Sequence, residues 1–123
     1  DARQLQQVFL NVITNAMAAM ENGGKLTIRS FVERPARRAV VQFQDTGVGI
    51  PPDHIDHIFE PFFTTKPEGK GTGLGLFVSY GIIASYGGTM ECASTPATAL
   101  GKQPGTTFTI KLPTDSVENL EKT

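Results

Sequence analysis

Leu5, Val8, Phe9, Val12, Ile13, Ala16 and Met20 recur at steps of three and four residues. That spacing lines one side of a helix with apolar groups and predicts an amphipathic α-helix. Asn22-Gly23-Gly24 stops it, because glycine readily takes the backbone shape that ends a helix. Leu26, Ile28, Ser30 and Val32 then alternate with Lys25, Thr27, Arg29 and Phe31, a period of two that predicts a strand. A polar turn over 33–38, with Pro35 inside it, leads to a second strand, Ala39 to Asp45, and the pair reads as a hairpin. Alternation puts Val41, Phe43 and Asp45 on one face of that strand. Pro51-Pro52-Asp53 opens a short helix through Phe59, since proline suits a first turn and an early acid suits the helix dipole.

From Glu60 to Thr72 neither period is present, and Gly, Pro, Thr and Lys dominate. A long mobile loop is expected there, and such loops are often functional. A further helix begins near Gly73 and runs to Tyr86, where Gly87-Gly88 ends it. Two last strands, Thr89 to Ser94 and Thr106 to Leu112, flank a loop bearing Pro and Gly. Helices interspersed with hairpin-paired strands predict an α/β fold, a two-layer sandwich with a mixed, largely antiparallel sheet packed on helices.

With 123 residues and 39% hydrophobic content, the chain fits one domain around one core. That domain is expected over 1–113, with 114–123 as a polar tail. Eleven basic and twelve acidic residues leave a net charge of −1, so no overall field draws the chain to nucleic acid or to an anionic membrane. Phosphate binding must therefore be local. The apolar stretches fall short of a bilayer span, no signal-peptide pattern opens the chain, and a soluble protein is expected. The single cysteine, Cys92, excludes an internal disulfide and a cysteine-based zinc cage, and fits a reducing compartment.

Asn11 and Asn15 stand four apart, side by side at the margin of the apolar stripe. A carboxamide oxygen there can ligate a hard cation such as magnesium, although solvated or capping asparagines share this spacing. Asp45 turns an acid to the core side, where it needs a partner. Gly47, Gly49 and Ile50 follow at once, and the missing side chains let a flat ligand with an exocyclic amine lie against the backbone. A tight turn held by the Asp side chain is the alternative. The run Gly69-Lys70-Gly71-Thr72-Gly73-Leu74-Gly75-Leu76 brings a cation to a helix start, whose free N–H groups attract phosphate, or else it is a flexible linker. It is not a P-loop, because Gly71 follows Lys70 and Thr64 stands where the first glycine is required; Leu74 and Leu76 break the dinucleotide fingerprint. Thr106 shares a face with Phe108, Ile110 and Leu112 and points a hydroxyl toward the core, either to a ligand shared with Asp45 or to its own backbone.

These segments in this order, with Phe59-Glu60-Pro61-Phe62-Phe63-Thr64-Thr65-Lys66, resemble the ATP-binding catalytic domain of bacterial sensor histidine kinases, most closely the nitrogen-regulation type. The resemblance covers Asp1 to Pro113 and implies the sandwich shared with gyrase-type ATPases, with ATP and Mg2+ held under a mobile lid. By position it implies Asn15 as the magnesium ligand and Asn11 as its polar companion near the phosphates. Asp45 would accept the adenine amine, with Gly47, Gly49 and Ile50 along the base and Thr106 near an adenine-bound water. Phe59 and Phe62 would anchor the lid. Gly71, Thr72, Gly73, Leu74, Gly75 and Leu76 would meet the phosphates, with Lys66 and Lys70 either lid cations beside them or solvated surface residues.

Two departures stand out. Ala18 and Ala19 replace the lysine and aromatic residue that many such kinases carry after the metal-binding asparagine, which leaves phosphate contact to the lid. The strand that normally precedes the first helix, and the phosphoacceptor helix domain, are expected to lie outside this chain. The implied partners are therefore that helix domain, a response regulator reached indirectly, and a second copy in a full-length homodimer. A cytoplasmic domain is implied, within a parent that is free or membrane-anchored. His54 and His57 lack the acid that follows a phosphoacceptor histidine, and no third ligand makes them a zinc pair; surface or capping roles are expected. The alternative within the superfamily is an ATP hydrolase or protein-serine kinase. An amide at Asn11, where the hydrolases use a glutamate base, argues for slow hydrolysis.

Overall fold

The computed structural model describes residues 2–64 and 73–114. Lys66, Lys70, Gly71, Thr72 and the tail from 115 onward lie outside the described residues. In chain order the elements are α1 (Ala2–Ala19), β1 (Leu26–Glu33), β2 (Arg38–Asp45), α2 (Pro52–Ile55), α3 (Gly75–Ser85), β3 (Thr89–Thr95) and β4 (Gly105–Pro113). The four strands form one sheet in the order β1-β2-β4-β3, and every neighbouring pair is antiparallel.

The stripe on α1 does what its spacing requires. Val8, Val12 and Ala16 are buried, and they meet Phe43 of β2, Ile83 of α3, Met90 of β3, and Phe108, Ile110 and Leu112 of β4. Phe9 closes on Phe43 with ring centroids 5.6 Å apart. α1 and α3 pack against each other and lie over β2 and β3 respectively, so the helical layer covers the middle and one side of the sheet. β1, at the other side, keeps Ile28 and Val32 about half exposed, at 51% and 52%. On the opposite sheet face Val40 is buried.

Two expected spans differ in detail. The short helix after Pro51 ends at Ile55 and continues as turns, tied by His57 N–H to the His54 carbonyl and Glu60 N–H to the His57 carbonyl. The last long helix begins at Gly75 rather than Gly73, because Gly73 sits at φ +72° and hands its carbonyl to Phe62 N–H at 2.8 Å. That bond joins the chain on the two sides of 63–72. A side chain at Gly73 would run into the Phe62 backbone, and Phe62 itself has φ +66°.

Candidate nucleotide site

A cleft of about 350 Å³ opens between the end of α1, the segment after β2, the start of α3 and the start of β4. Its wall includes Asn15, Ala18, Asp45, Gly49, Ile50, His54, Phe63, Leu76 and Thr106, with Ile58 and Phe108 on its apolar side. This volume and this mixture of apolar wall with few polar groups suit a small organic ligand. Among the described lining residues there is no lysine or arginine, and Glu21 adds an acid.

The segment 46–50 owes its position to hydrogen bonds at almost every residue. Gly47 N–H donates to Asp45 Oδ1 at 2.8 Å. Val48 N–H donates to the Ala19 carbonyl at the end of α1 at 3.1 Å, and the Val48 carbonyl accepts from Ala97 N–H at 2.7 Å. Ile50 N–H donates to Ser94 Oγ at 2.7 Å. Gly49 has φ +76°, and a β-carbon there would strike the Thr95 carbonyl, so the position tolerates neither another backbone shape nor a side chain.

Asp45 closes one end of the cleft and is directly opposite Thr106 in the β2–β4 register. Burial pushes its carboxyl above the ordinary value of 3.8, while N–H groups of Gly47 and Thr106 pull it back toward the ionised form. Cys92 lies nearby with its thiol pushed up to about 12, first by burial and then by the Asp45 charge. It is a neutral, inert group at physiological pH.

Asn15 lines the cleft. Asn11 faces α3 instead. Its amide nitrogen donates to the Gly75 carbonyl at 3.2 Å and to Ser79 Oγ at 3.0 Å, and Ser79 is fully buried. The pair of asparagines thus splits, with one side chain in the cleft and the other bolting α1 to the first turn of α3. Leu76 reaches the cleft, whereas Gly73, Leu74 and Gly75 lie beside it at the α3 start. Phe59 packs on Tyr80 and Phe108, with centroids at 5.0 and 6.3 Å, while Phe62 is exposed. His57, at the surface as expected, bonds Glu60 at 2.7 Å, whereas His54 lines the cleft, with its Nδ1 buried, and meets Phe63 edge-on at 5.4 Å. Among the described residues no group of three His, Cys, Asp or Glu side chains could hold a metal.

Ser94 is the residue the sequence did not mark. It joins the segment 46–50 to β4 through three hydrogen bonds. A polar residue two steps beyond Cys92 on an otherwise ordinary strand was its only signal.

This fold and cleft define a nucleotide-binding ATPase domain. The chain belongs to the histidine kinase-, DNA gyrase B-, and HSP90-like ATPase family, whose model matches residues 1–116, as the catalytic domain of the sensor histidine kinase branch. It is 45% identical to sensor kinase CckA of Brucella abortus (strain 2308), over 92% of this chain and 13% of that protein. With sensor histidine kinase ZraS of Salmonella typhi it shares 41% identity over 92% of this chain and 22% of that protein. Among solved structures, mycobacterial sensor histidine kinase MprB superposes with a TM-score of 0.77 at 33% identity, covering 92% of this chain and 72% of that one. Full-length ShkA in complex with AMPPNP does so with a TM-score of 0.74 at 28% identity, over 89% of this chain and 21% of that one. The chain thus spans only a fraction of its curated relatives, from 12% to 25%. Among the described residues no helix is long and apolar enough to cross a membrane.

Proposed function

We propose that this domain, over residues 1–113 with 114–123 as a tail, binds ATP with Mg2+ in the cleft. In the whole protein it passes the γ-phosphoryl group to a histidine on a separate helix domain. The observation that carries the reading is a buried acid, Asp45, and a carboxamide, Asn15, on the wall of one cleft that Gly49, Ile50, Leu76 and Thr106 also line. Asp45 accepts the adenine amine, and Gly47, Gly49 and Ile50 lie along the base. The donor set fits magnesium. Asn15 offers one amide oxygen, and a hard ion held mainly by phosphate and water needs little more from the protein. When bound, the ion neutralises phosphate charge.

Asn11, with its NH2 group engaged on α3, holds the helix start that faces the phosphates. An amide takes no proton at neutral pH, which fits transfer to a nucleophile that needs alignment more than a base. Ala18 brings no cation to the cleft, so Lys66 and Lys70 are assigned to the phosphates together with Gly71, Thr72 and Gly73. Phe59 and Phe62 anchor the segment that carries them. Exposed Phe62, Phe77 and Tyr80 give the phosphoacceptor helices an apolar surface beside it. A cytoplasmic site, a homodimeric parent and an indirect link to a response regulator complete the proposal.

The test is calorimetric titration of MgATP into the domain and its Asp45→Asn variant. Loss of one charge-assisted bond predicts a Kd raised about tenfold or more. Equal affinity would refute the adenine contact. Mixing the domain with its cognate helix domain and labelled ATP should then label a histidine there.

A further inference from the structure

Ser94 in β3 is not itself part of the cleft wall, yet its hydroxyl sits among three groups, two of them on wall residues. Ile50 N–H points at it from 2.7 Å, the Gly105 carbonyl lies 3.0 Å away, and Thr106 Oγ1 lies 2.8 Å away. A serine hydroxyl has a single proton. The Gly105 carbonyl can only accept, so that proton goes to it. The Ile50 N–H can only donate, so it takes one lone pair. The contact with Thr106 is then made with the proton of Thr106. Thr106 has no second proton, and toward the cleft it presents lone pairs alone. Opposite it in the register, the Asp45 carboxyl is raised by burial, but it accepts N–H bonds from Gly47 and Thr106, which pull it back toward the carboxylate and aim its oxygens at this end of the cleft as acceptors. This end of the cleft therefore offers two acceptors from side chains on neighbouring strands.

We propose that Ser94 is a specificity-determining positioning residue: by taking the Thr106 proton it fixes the purine end of the cleft as an acceptor surface that admits a 6-amino purine and rejects a 6-oxo purine. The proposal rests on the reading that the base lies against Asp45. A 6-oxo purine in the same pose puts its carbonyl oxygen against the Asp45 carboxylate, with Thr106 a second acceptor reached through an intervening water, and an unmatched polar group in a buried site carries a heavy penalty. Without Ser94, Thr106 recovers its proton and can turn it to that oxygen through the same water. The same change frees Ile50 N–H, which couples base choice to the position of the 46–50 segment.

The experiment compares MgATP and MgITP, whose bases differ at the 6-position and the adjacent ring proton, by calorimetry on the domain and its variants. The unsubstituted domain should prefer ATP, and Ser94→Ala should narrow the ATP:ITP affinity ratio about tenfold, the scale of one hydrogen bond made or lost in a closed site. Ser94→Thr, which keeps the hydroxyl, should restore the ratio. A ratio unchanged in Ser94→Ala, with both affinities falling together, would overturn the proposal and leave Ser94 a structural brace. Should Ser94→Ala lack a cooperative melt, Thr106→Val decides, because removing the acceptor narrows the ratio if the proposal holds and leaves it unchanged if it does not. An Asp45→Asn arm separates the two levels. ATP affinity unaffected there defeats the base assignment itself, whereas a loss there with an unaltered ratio in the Ser94 arm defeats only the proton argument.

Discussion

Asp45 is an acid that its own fold resists ionising, and this gives the domain two opposed responses to pH. Its carboxyl is raised above 3.8, so the folded chain holds that proton more tightly than the unfolded chain does. The contribution to stability is accordingly complete below 3.8 and is lost as pH rises through the raised value. On the proposed adenine contact, nucleotide binding runs the other way, because the carboxylate is the form that accepts an amine. From about pH 7 downward, MgATP affinity should fall before the ordinary aspartate range is reached, and the Asp45 contribution to the melting temperature should rise. Asp45→Asn should remove both slopes, which parallel calorimetry and thermal melts would report. A wild-type affinity that holds level down to 3.8 would contradict the assignment. Asp45 and Thr106 were legible in the sequence because a period of two turned a polar group onto an apolar face. Ser94 was not, since its part depends on which strands are neighbours, and no local pattern carries that.

At the scale of elements, the segment between β2 and α2 is a short span tied to α1, to β3 and to the loop beyond β3. Gly49→Ala should cost about 1–2 kcal/mol for the left-handed backbone alone. It should cost more for the collision with the Thr95 carbonyl, and MgATP affinity should fall with it. Gly101→Ala is the control. Its φ is similar at +73°, but nothing lies within 4 Å of the added carbon, so it should show the strain without the binding loss. Thermal melts and titrations of the two variants separate conformation from contact. The helix stripe and the strand alternations were plain in the sequence. The early end of α2 was not, because the helical period does not separate a helix from the successive turns that follow Ile55, and the late start of α3 was not, because it is set by a glycine whose positive φ goes with the Phe62 contact.

The molecule as a whole is held by a core in which Ile83 of α3 is completely buried between α1 and the sheet. Ile83→Ala should lower the unfolding free energy by about 2–5 kcal/mol, read by denaturant titration, and a value near zero would mean the two layers do not share one core. The period of β1 was read correctly, but the exposure of Ile28 and Val32 was beyond it. Alternation separates two faces without saying how far the helices reach across them. The strand order β1-β2-β4-β3 has a consequence for synthesis on the ribosome. β4 inserts between β2 and β3 although it is made last of the four, so Asp45 waits for Thr106 until residues 105–113 have left the exit tunnel. A nascent chain can form the β1–β2 ribbon early, but the proposed purine end of the cleft is incomplete before its final strand emerges.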